Sequence, residues 1–282
     1  MSGAEAFGRR PADPRLVLAR PDLADAALQG LVSAGRFEKT TAFHCAAPAA
    51  AIRRDPSPSA EQLDQLLHGE TFRVIETGRG WGWGQADRDG YVGHVLLADI
   101  RPGVVSASHR VGALRAYAFS RPDIKSPPLA LLSFNALVAV EAEQGAFRKA
   151  EGSGWIPALQ LRPIGEVETD PAAVAERFLG APYQWGGRES LGLDCSGLVQ
   201  QALHACGLWC PRDSDQQQAL GQPVEGGGLA RGDLVCWKGH VGMMLDAARL
   251  IHANAFHMQV QVEPLAEAVA RIGEPTALRR FR

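Results

Sequence analysis

One cysteine in this sequence is placed where its thiol could act as a nucleophile. Cys195 follows Asp194, a residue type that often caps the first turn of a helix. Apolar residues recur at helical spacing after it, at Leu198, Val199, Ala202, Leu203 and Cys206. Cys195 is therefore predicted in the first helical turn, where unpaired backbone N–H groups and the helix dipole favour negative charge. A thiol there is expected to titrate at low pH, which makes the reactive thiolate available near neutrality.

A nucleophilic cysteine needs a base, and the base needs a group that orients it. His240 and His252 lie in apolar stretches that predict β-strands over residues 234–237, 241–245 and 250–253. Adjacent antiparallel strands behind the helix would bring His240 to the thiol and His252 behind His240. Either histidine could instead be a core residue with satisfied hydrogen bonds, but their order and spacing after Cys195 favour the catalytic interpretation.

These residues belong to five segments whose order and spacing resemble a known family. The segments are YQWGG (183–187), DCSGLVQ (194–200), RGDLVCW (231–237), GHVGMML (239–245) and IHAN (251–254). From about Val167 onward the chain resembles the NlpC-type (NlpC/p60) cell-wall cysteine peptidases. The resemblance implies an α+β fold, a permuted papain-like peptidase domain and a triad of Cys195, His240 and His252. It also implies that Tyr183 assists the oxyanion site and that Trp185 contacts the substrate.

A polar loop after the nucleophile helix supplies further candidate ligands. Members of the family cut the amide between γ-D-glutamate and a diamino acid in peptidoglycan stem peptides, and one branch requires a free substrate amine. Resemblance to that branch implies that Asp213 pairs with the substrate's N-terminal ammonium, while Ser214 and Arg212 bind the glutamyl carboxylate. From the sequence alone, Asp213 or Ser214 could equally be a helix cap, and both interpretations stay open.

The region between about residues 36 and 162 predicts two small β-barrels. Residues 66–95 and 131–159 look like imperfect copies of one pattern of short strands and turns, and both resemble bacterial SH3 domains. Where such a domain accompanies this peptidase domain, the first barrel closes one end of the active site, and an acidic residue and a tyrosine receive the substrate amine. Glu70 and Tyr91 are the nearest matches, with a solvated glutamate and a core tyrosine as the alternative.

The chain is accordingly predicted to have four parts. These are an N-terminal arm (1–35), a first SH3-like barrel (36–108), a second SH3-like barrel (109–164) and the peptidase domain (165–282). A short helical pattern covers residues 22–35 of the arm, and Asp170 and Pro171 predict a helix start in the peptidase domain. Trp83 is expected inside the first barrel, although Trp81 and Trp83 could form a stacking surface for a ligand.

Composition argues against several classes of partner and cofactor. The formal net charge of −2 over 282 residues gives no electrostatic case for nucleic acid or an anionic membrane surface as a partner. The N-terminus lacks the apolar core of a signal peptide and no stretch is long enough to span a bilayer, so a cytoplasmic location is expected. Five cysteines do not suggest a disulfide framework. The spacing of Cys206, Cys210, Cys236 and His240 does not match a zinc site, so neither metal nor cofactor is predicted.

The sequence therefore predicts a cysteine peptidase that cuts the bond between γ-D-glutamate and a diamino acid, either meso-diaminopimelate or lysine. The predicted substrates and partners are peptidoglycan stem peptides with a free N-terminal L-alanine, such as turnover products, rather than intact wall. The preferred diamino acid and the oligomeric state stay open. A non-catalytic protein that binds wall peptides, and a thiol acyltransferase on the same fold, are the alternatives.

Overall fold

The protein is described here from a computed structural model, which covers residues 13–225 and 228–281. The chain forms an N-terminal arm, two all-β units and a C-terminal unit of helices packed on a sheet, an α+β organisation. Residues 1–12 of the predicted arm lie outside the described residues. Within those ranges, no helix has the length and apolar character needed to cross a membrane.

The arm follows the surface of the first β unit with almost no regular structure. It contains 3-10 turns at Pro14–Leu16 and Ala26–Leu28 and a two-residue strand β1 (Ala24–Asp25) paired in parallel with β2 (Phe37–Glu38). The helix predicted over residues 22–35 is therefore wrong. The pairing of β1 with β2 takes the backbone groups that a helix would need, and the apolar residues serve another purpose: Leu18 and Leu23 pack on Trp83.

Trp83 thus lies buried beneath the arm, with the Arg20 guanidinium 4.1 Å from its ring centroid. It is not an open stacking surface, nor is it inside the barrel core, which is formed by a separate cluster of Cys45, Ile52, Leu66, Phe72 and Val95. The arm is thereby fixed to the outside of the first barrel.

The first barrel is a seven-stranded antiparallel sheet in the order β5-β4-β8-β7-β6-β3-β9. Its strands are β3 (Thr41–Cys45), β4 (Ala49–Arg53), β5 (Gln62–Leu67), β6 (Thr71–Gly78), β7 (Trp81–Ala86), β8 (Val92–Leu96) and β9 (Ile100–Pro102). Gly69 turns the chain between β5 and β6 at φ +79°, and a Cβ there would overlap the carbonyl of Leu137 in the next unit. The two β units are therefore closely packed at this turn.

The second barrel repeats the strand pairing of the first. Its strands are β10 (His109–Val111), β11 (Arg115–Phe119), β12 (Pro128–Ser133), β13 (Leu137–Val138), β14 (Val140–Gln144), β15 (Phe147–Ala150), β16 (Gly154–Pro157) and β17 (Leu161–Pro163). Strand β11 pairs with β12 and β16, as β4 pairs with β5 and β8, and β10 pairs with β17 as β3 does with β9. The internal repeat visible in the sequence is thus a repeat of topology.

The C-terminal unit packs a buried helix against a six-stranded antiparallel sheet in the order β20-β25-β21-β22-β23-β24. Its elements are α1 (Pro171–Glu176), β18 (Arg188–Glu189), β19 (Gly192–Leu193), α2 (Cys195–Ala205), α3 (Ser214–Gln217), β20 (Gln222–Pro223), β21 (Leu234–Trp237), β22 (His240–Met244), β23 (Arg249–Asn254), β24 (Gln259–Pro264), α4 (Leu265–Ile272) and β25 (Ala277–Arg280). The apolar face of α2 packs against Val241, Met243 and Ile251 of the sheet. This packing brings the first turn of α2 to β22 and β23.

Candidate active site

The thiol of Cys195 lies at the first residue of α2, as the sequence predicts. The Asp194 side chain caps the helix: Oδ1 accepts from the Gly197 N–H at 2.8 Å, and Oδ2 accepts from the Gly186 N–H at 2.9 Å. Cys195 is only 7% exposed and borders a cavity of about 270 Å³ between the C-terminal unit and the first barrel. One carboxylate therefore fixes both the helix start and the preceding loop.

The expectation that this thiol titrates at low pH is wrong. Burial raises the pKa of Cys195 to about 12, and the negative charge of Asp194 acts in the same direction, which outweighs the hydrogen bonds from the backbone of Val241 and Ser196. Burial, with the neighbouring His252, lowers the pKa of His240 to about 3. At neutral pH both groups are therefore uncharged.

The two histidines form a relay that runs across the sheet. Nε2 of His240, on β22, lies 2.8 Å from Nδ1 of His252 on β23. Nε2 of His252 lies in turn 2.7 Å from Oε1 of Glu263 on β24. Since Nε2 of His240 is engaged with His252, Nδ1 is the ring nitrogen left for the thiol.

Tyr183, predicted at the oxyanion site, lines the same cavity as Cys195, and so do four of the six predicted substrate-binding residues: Trp185, Asp213, Ser214 and Tyr91. Burial is the largest cause that raises the pKa of Tyr183, and the nearby sulfur of Cys195 adds to it, so its hydroxyl stays a hydrogen-bond donor. Trp185 is 61% exposed at the cavity wall, and its Nε1–H donates to Oε1 of Glu61 at 3.1 Å.

Asp213 joins the first barrel to the C-terminal unit at this cavity. The Tyr91 hydroxyl donates to Asp213 Oδ2 at 3.0 Å. Asp213 is also the N-cap of α3, with Gln216 completing a reciprocal capping pair. Asp213 thus lies at the N-cap of a helix and presents a carboxylate to the cavity, while its role as an amine ligand stays a prediction. Burial raises the pKa of Asp213 above its ordinary value, although Arg212 and Arg15 oppose the shift.

Arg15 and Glu61 are among the cavity residues that were not anticipated from the sequence. Arg15, on the arm, donates from Nη1 to Asp213 Oδ2 at 2.7 Å and to Asp215 Oδ1 at 2.9 Å. Glu61, at the start of the β5 region, lines the cavity beside Trp185. No local pattern marks either residue, since each reaches the cavity only through the docking of the arm or the barrel.

Arg212 does not reach the cavity, which corrects its prediction as a carboxylate ligand. Its side chain is almost fully buried, and all three guanidinium nitrogens are already engaged. Nε donates to Asp64 at 2.6 Å, Nη2 to Asp194 Oδ2 at 2.7 Å, and Nη1 to the Ser196 hydroxyl at 2.9 Å. Arg212 therefore holds the carboxylate that caps α2 and connects it to the first barrel.

Glu70 is the second correction, since it is neither an amine ligand nor a solvated surface residue. It is 2% exposed, forms an ion pair with Arg188 of the C-terminal unit, and accepts from Arg88 Nε at 2.9 Å. Arg188 also lies 3.2 Å from Asp64, the carboxylate that Arg212 contacts. These buried pairs fix the first barrel against the C-terminal unit, because separating them would leave uncompensated charges.

The described residues contain one group of side chains that could hold a metal ion, namely His252, His257 and Glu263. Two of its members already contact each other, and His252 also contacts His240 through its other nitrogen. His257, the third member, instead lies with Nδ1 3.1 Å from Oδ1 of Asn254.

Comparison with known proteins gives a family match for two regions of this chain, and both regions contribute residues to the cavity. Residues 180–272 match the model of the NlpC/P60 family, and residues 52–100 match the bacterial dipeptidyl-peptidase SH3 domain. A gamma-D-glutamyl-L-lysine dipeptidyl-peptidase of Bacillus subtilis is 24% identical over 230 residues, which is 73% of this chain and 76% of the relative. A probable endopeptidase of Mycobacterium tuberculosis is 32% identical over 117 residues, or 40% of this chain, and the match spans only 30% of that relative.

A solved structure agrees in fold over most of the chain. The crystal structure of an NlpC/P60 family protein from Bacillus cereus superimposes with a TM-score of 0.74, covering 86% of this chain and 99% of that one. At 20% sequence identity, this likeness describes the fold alone.

Proposed function

Because this chain carries an NlpC/P60 peptidase domain together with a bacterial dipeptidyl-peptidase SH3 domain, we propose that it is a cysteine peptidase of peptidoglycan-derived peptides. Its substrates are peptides that begin with a free L-alanine followed by γ-linked D-glutamate and a diamino acid, and it hydrolyses the amide after the glutamate. The observation that carries the proposal is the Tyr91–Asp213 pair, which lines the same cavity as Cys195.

The reaction follows from the neutral thiol and imidazole. As Sγ of Cys195 attacks the γ-carbonyl carbon, its proton passes to Nδ1 of His240. Backbone N–H groups at the start of α2 and the Tyr183 hydroxyl hold the developing oxyanion. His240 then donates the proton to the departing amine of the diamino acid while the C–N bond breaks, which leaves a thioester. Water, deprotonated by His240, then attacks the thioester carbonyl. The C–S bond breaks, the L-Ala-γ-D-Glu product leaves, and His240 returns the proton to the sulfur.

The substrate's N-terminal ammonium binds at the end of the cavity closed by the first barrel. Asp213 supplies a carboxylate there, and Glu61 takes the place predicted for Glu70 as the acidic residue of the first barrel, since it lines the cavity. Ser214, on the same wall, remains the candidate ligand for the substrate's glutamyl carboxylate. An acylated amine, as in a stem peptide still joined to a glycan strand, would lose its charge and meet the barrel wall. The cavity would therefore exclude stem peptides that are still part of the intact wall.

Product analysis on a panel of stem peptides tests this function. L-Ala-γ-D-Glu-L-Lys, its meso-diaminopimelate counterpart and the N-acetylated form of each are incubated with the protein and with the Cys195→Ala variant. We expect release of L-Ala-γ-D-Glu from the free-amine peptides by the unaltered protein only. Binding without cleavage would instead favour a wall-peptide binding protein, and transfer of the dipeptide to an added amine would favour an acyltransferase.

A further inference from the structure

The histidine relay at the active site ends on a carboxylate that the mechanism above does not use. Glu263, on β24, is 6% exposed and contacts Nε2 of His252 at 2.7 Å through Oε1. On its other side Arg271, from α4, donates to Oε2 of Glu263 at 3.0 Å and also to Oε1. The carboxylate is thus held between a histidine and a guanidinium and does not line the cavity.

The proton positions in this relay follow from what each group can donate. An ionised carboxylate only accepts hydrogen bonds, so Nε2 of His252 must carry the proton that faces Glu263. A neutral imidazole has one N–H, and Nδ1 of His252 is therefore an acceptor. His240 must then donate to it from Nε2, which leaves the lone pair of a neutral His240 on Nδ1.

We infer that Glu263 is a positioning residue that selects the tautomer of His252 and, through it, leaves Nδ1 of His240 as the base for the Cys195 thiol. The inference deepens the proposed function and rests on it for its catalytic meaning. It assigns a role to a side chain that is separated from Cys195 by the two histidines of the relay. Arg271 has a part in it, because its two hydrogen bonds hold the carboxylate in one orientation.

The charge states of the buried groups agree with this arrangement. Burial opposes ionisation of Glu263, yet hydrogen bonds from Arg271 and the nearby His252 hold its pKa below the ordinary value. Burial lowers the pKa of His252 to about 4, although Glu263 opposes the shift, while Arg271 and His257 act in the same direction as burial. At neutral pH the relay therefore contains a carboxylate and two neutral imidazoles.

The substitution Glu263→Gln separates this role from simple packing. Arg271 donates to both oxygens of Glu263, so the amide NH2 of Glu263→Gln replaces one of these acceptors. With the amide oxygen kept at the Oε2 position, the NH2 lies at the Oε1 position and faces Nε2 of His252. A donor at that position forces the proton of His252 onto Nδ1, so Nε2 of His240 becomes an acceptor and Nδ1 carries a proton toward the thiol. In Glu263→Ala, water can accept from Nε2 of His252 and the productive tautomer remains available.

Glu263→Gln is therefore expected to be the more damaging variant, although it preserves size and shape. We expect kcat to fall roughly 100-fold with KM within about twofold, a smaller loss than the ~10⁴-fold cost of a wrong tautomer next to the base itself. Glu263→Ala should lose about tenfold, within the usual range for groups that orient a functional histidine. Glu267→Gln removes a carboxylate on the same helix as Arg271 and is the matched control, with no expected change.

Two measurements test the inference, and the second does not depend on the proposed substrate. The first is kcat and KM on the best stem peptide, with thermal melting to verify folding. The second is the rate of iodoacetamide labelling at Cys195, resolved by peptide mass spectrometry, with the half-buried Cys206 as internal reference. Labelling at Cys195 should slow more in Glu263→Gln than in Glu263→Ala, while Cys206 stays unchanged.

The outcomes distinguish the two proposals. If no stem peptide is cleaved by the unaltered protein but the labelling order holds, the proposed function fails and the role of Glu263 stands. If Glu263→Gln matches the unaltered protein, or Glu263→Ala is the slower variant, the inference about Glu263 is overturned whatever the substrate proves to be.

Discussion

Asp213 offers the sharpest test of amine recognition, because its charge can be removed without loss of its structural role. The residue caps α3, and asparagine is as good an N-cap as aspartate. Asp213→Asn keeps the size of the side chain and should leave the melting temperature nearly unchanged. It removes the negative charge that faces the substrate's ammonium beside the Tyr91 hydroxyl.

The expected magnitude follows from the partners of this carboxylate. A hydrogen bond to a charged group contributes roughly 1.5–3 kcal/mol, which corresponds to about 10–150-fold in rate or affinity. The Asp213 side chain is 25% exposed and Arg15 lies 2.7 Å from it, so solvent and a competing cation weaken its interaction with substrate. We therefore expect a loss of about 10–30-fold in kcat/KM, toward the lower end of that range.

The assay compares initial rates on L-Ala-γ-D-Glu-L-Lys and on its N-acetylated form by liquid chromatography and mass spectrometry. The unaltered protein should strongly prefer the free amine, and Asp213→Asn should narrow the preference by slowing that substrate alone. Asp215→Asn is the comparison variant, because Asp215 also contacts Arg15 and lines the cavity but its side chain is 55% exposed. Equal losses on the two peptides, or an equal loss from Asp215→Asn, would refute the assignment of Asp213.

The remaining predictions concern pH and the thiol–imidazole pair. Burial raises the pKa of Asp213, although Arg212 and Arg15 oppose the shift. As the pH is lowered, kcat/KM on the free-amine peptide should therefore fall at a higher pH than an ordinary aspartate would give. The pH profile of the N-acetylated peptide should lack this decrease. Cys195→Ala should lose at least about three orders of magnitude in kcat while melting normally, as expected when a covalent step is removed. His240→Ala should be nearly as damaging in the same assay and His252→Ala less so; a harmless His252→Ala, or a worse Asn254→Ala, would assign the third role elsewhere.

The parts of the site that were predictable from the sequence depend on local patterns. Asp194 before an apolar helical stripe located Cys195 at a helix start, and continuous apolar stretches located His240 and His252 on strands. The repeated turn and strand pattern likewise located the two barrels. In each case the determining interactions lie within one element or between strands adjacent in the chain.

The predictions that were wrong or missing share one physical cause, which is burial by segments that are distant in the sequence. Arg212 and Glu70 were predicted as substrate ligands, but each is neutralised by a partner more than a hundred residues away in sequence. The pKa of the Cys195 thiol was misjudged because desolvation by the surrounding fold outweighs the local helix dipole. Arg15 reaches the cavity only because the arm docks on Trp83, a tertiary contact that no periodicity in the arm reveals.

The most direct test of the central claim is to trap the covalent intermediate. The protein is mixed with excess L-Ala-γ-D-Glu-L-Lys, quenched in acid during turnover, digested and mapped by mass spectrometry. We predict an L-alanyl-γ-D-glutamyl thioester on Cys195, since the mass of the acyl group identifies the bond cut and its position identifies the nucleophile. Free L-Ala-γ-D-Glu without any adduct at Cys195 in the acid-quenched samples, or an acyl group of another mass or on another residue, would contradict the account.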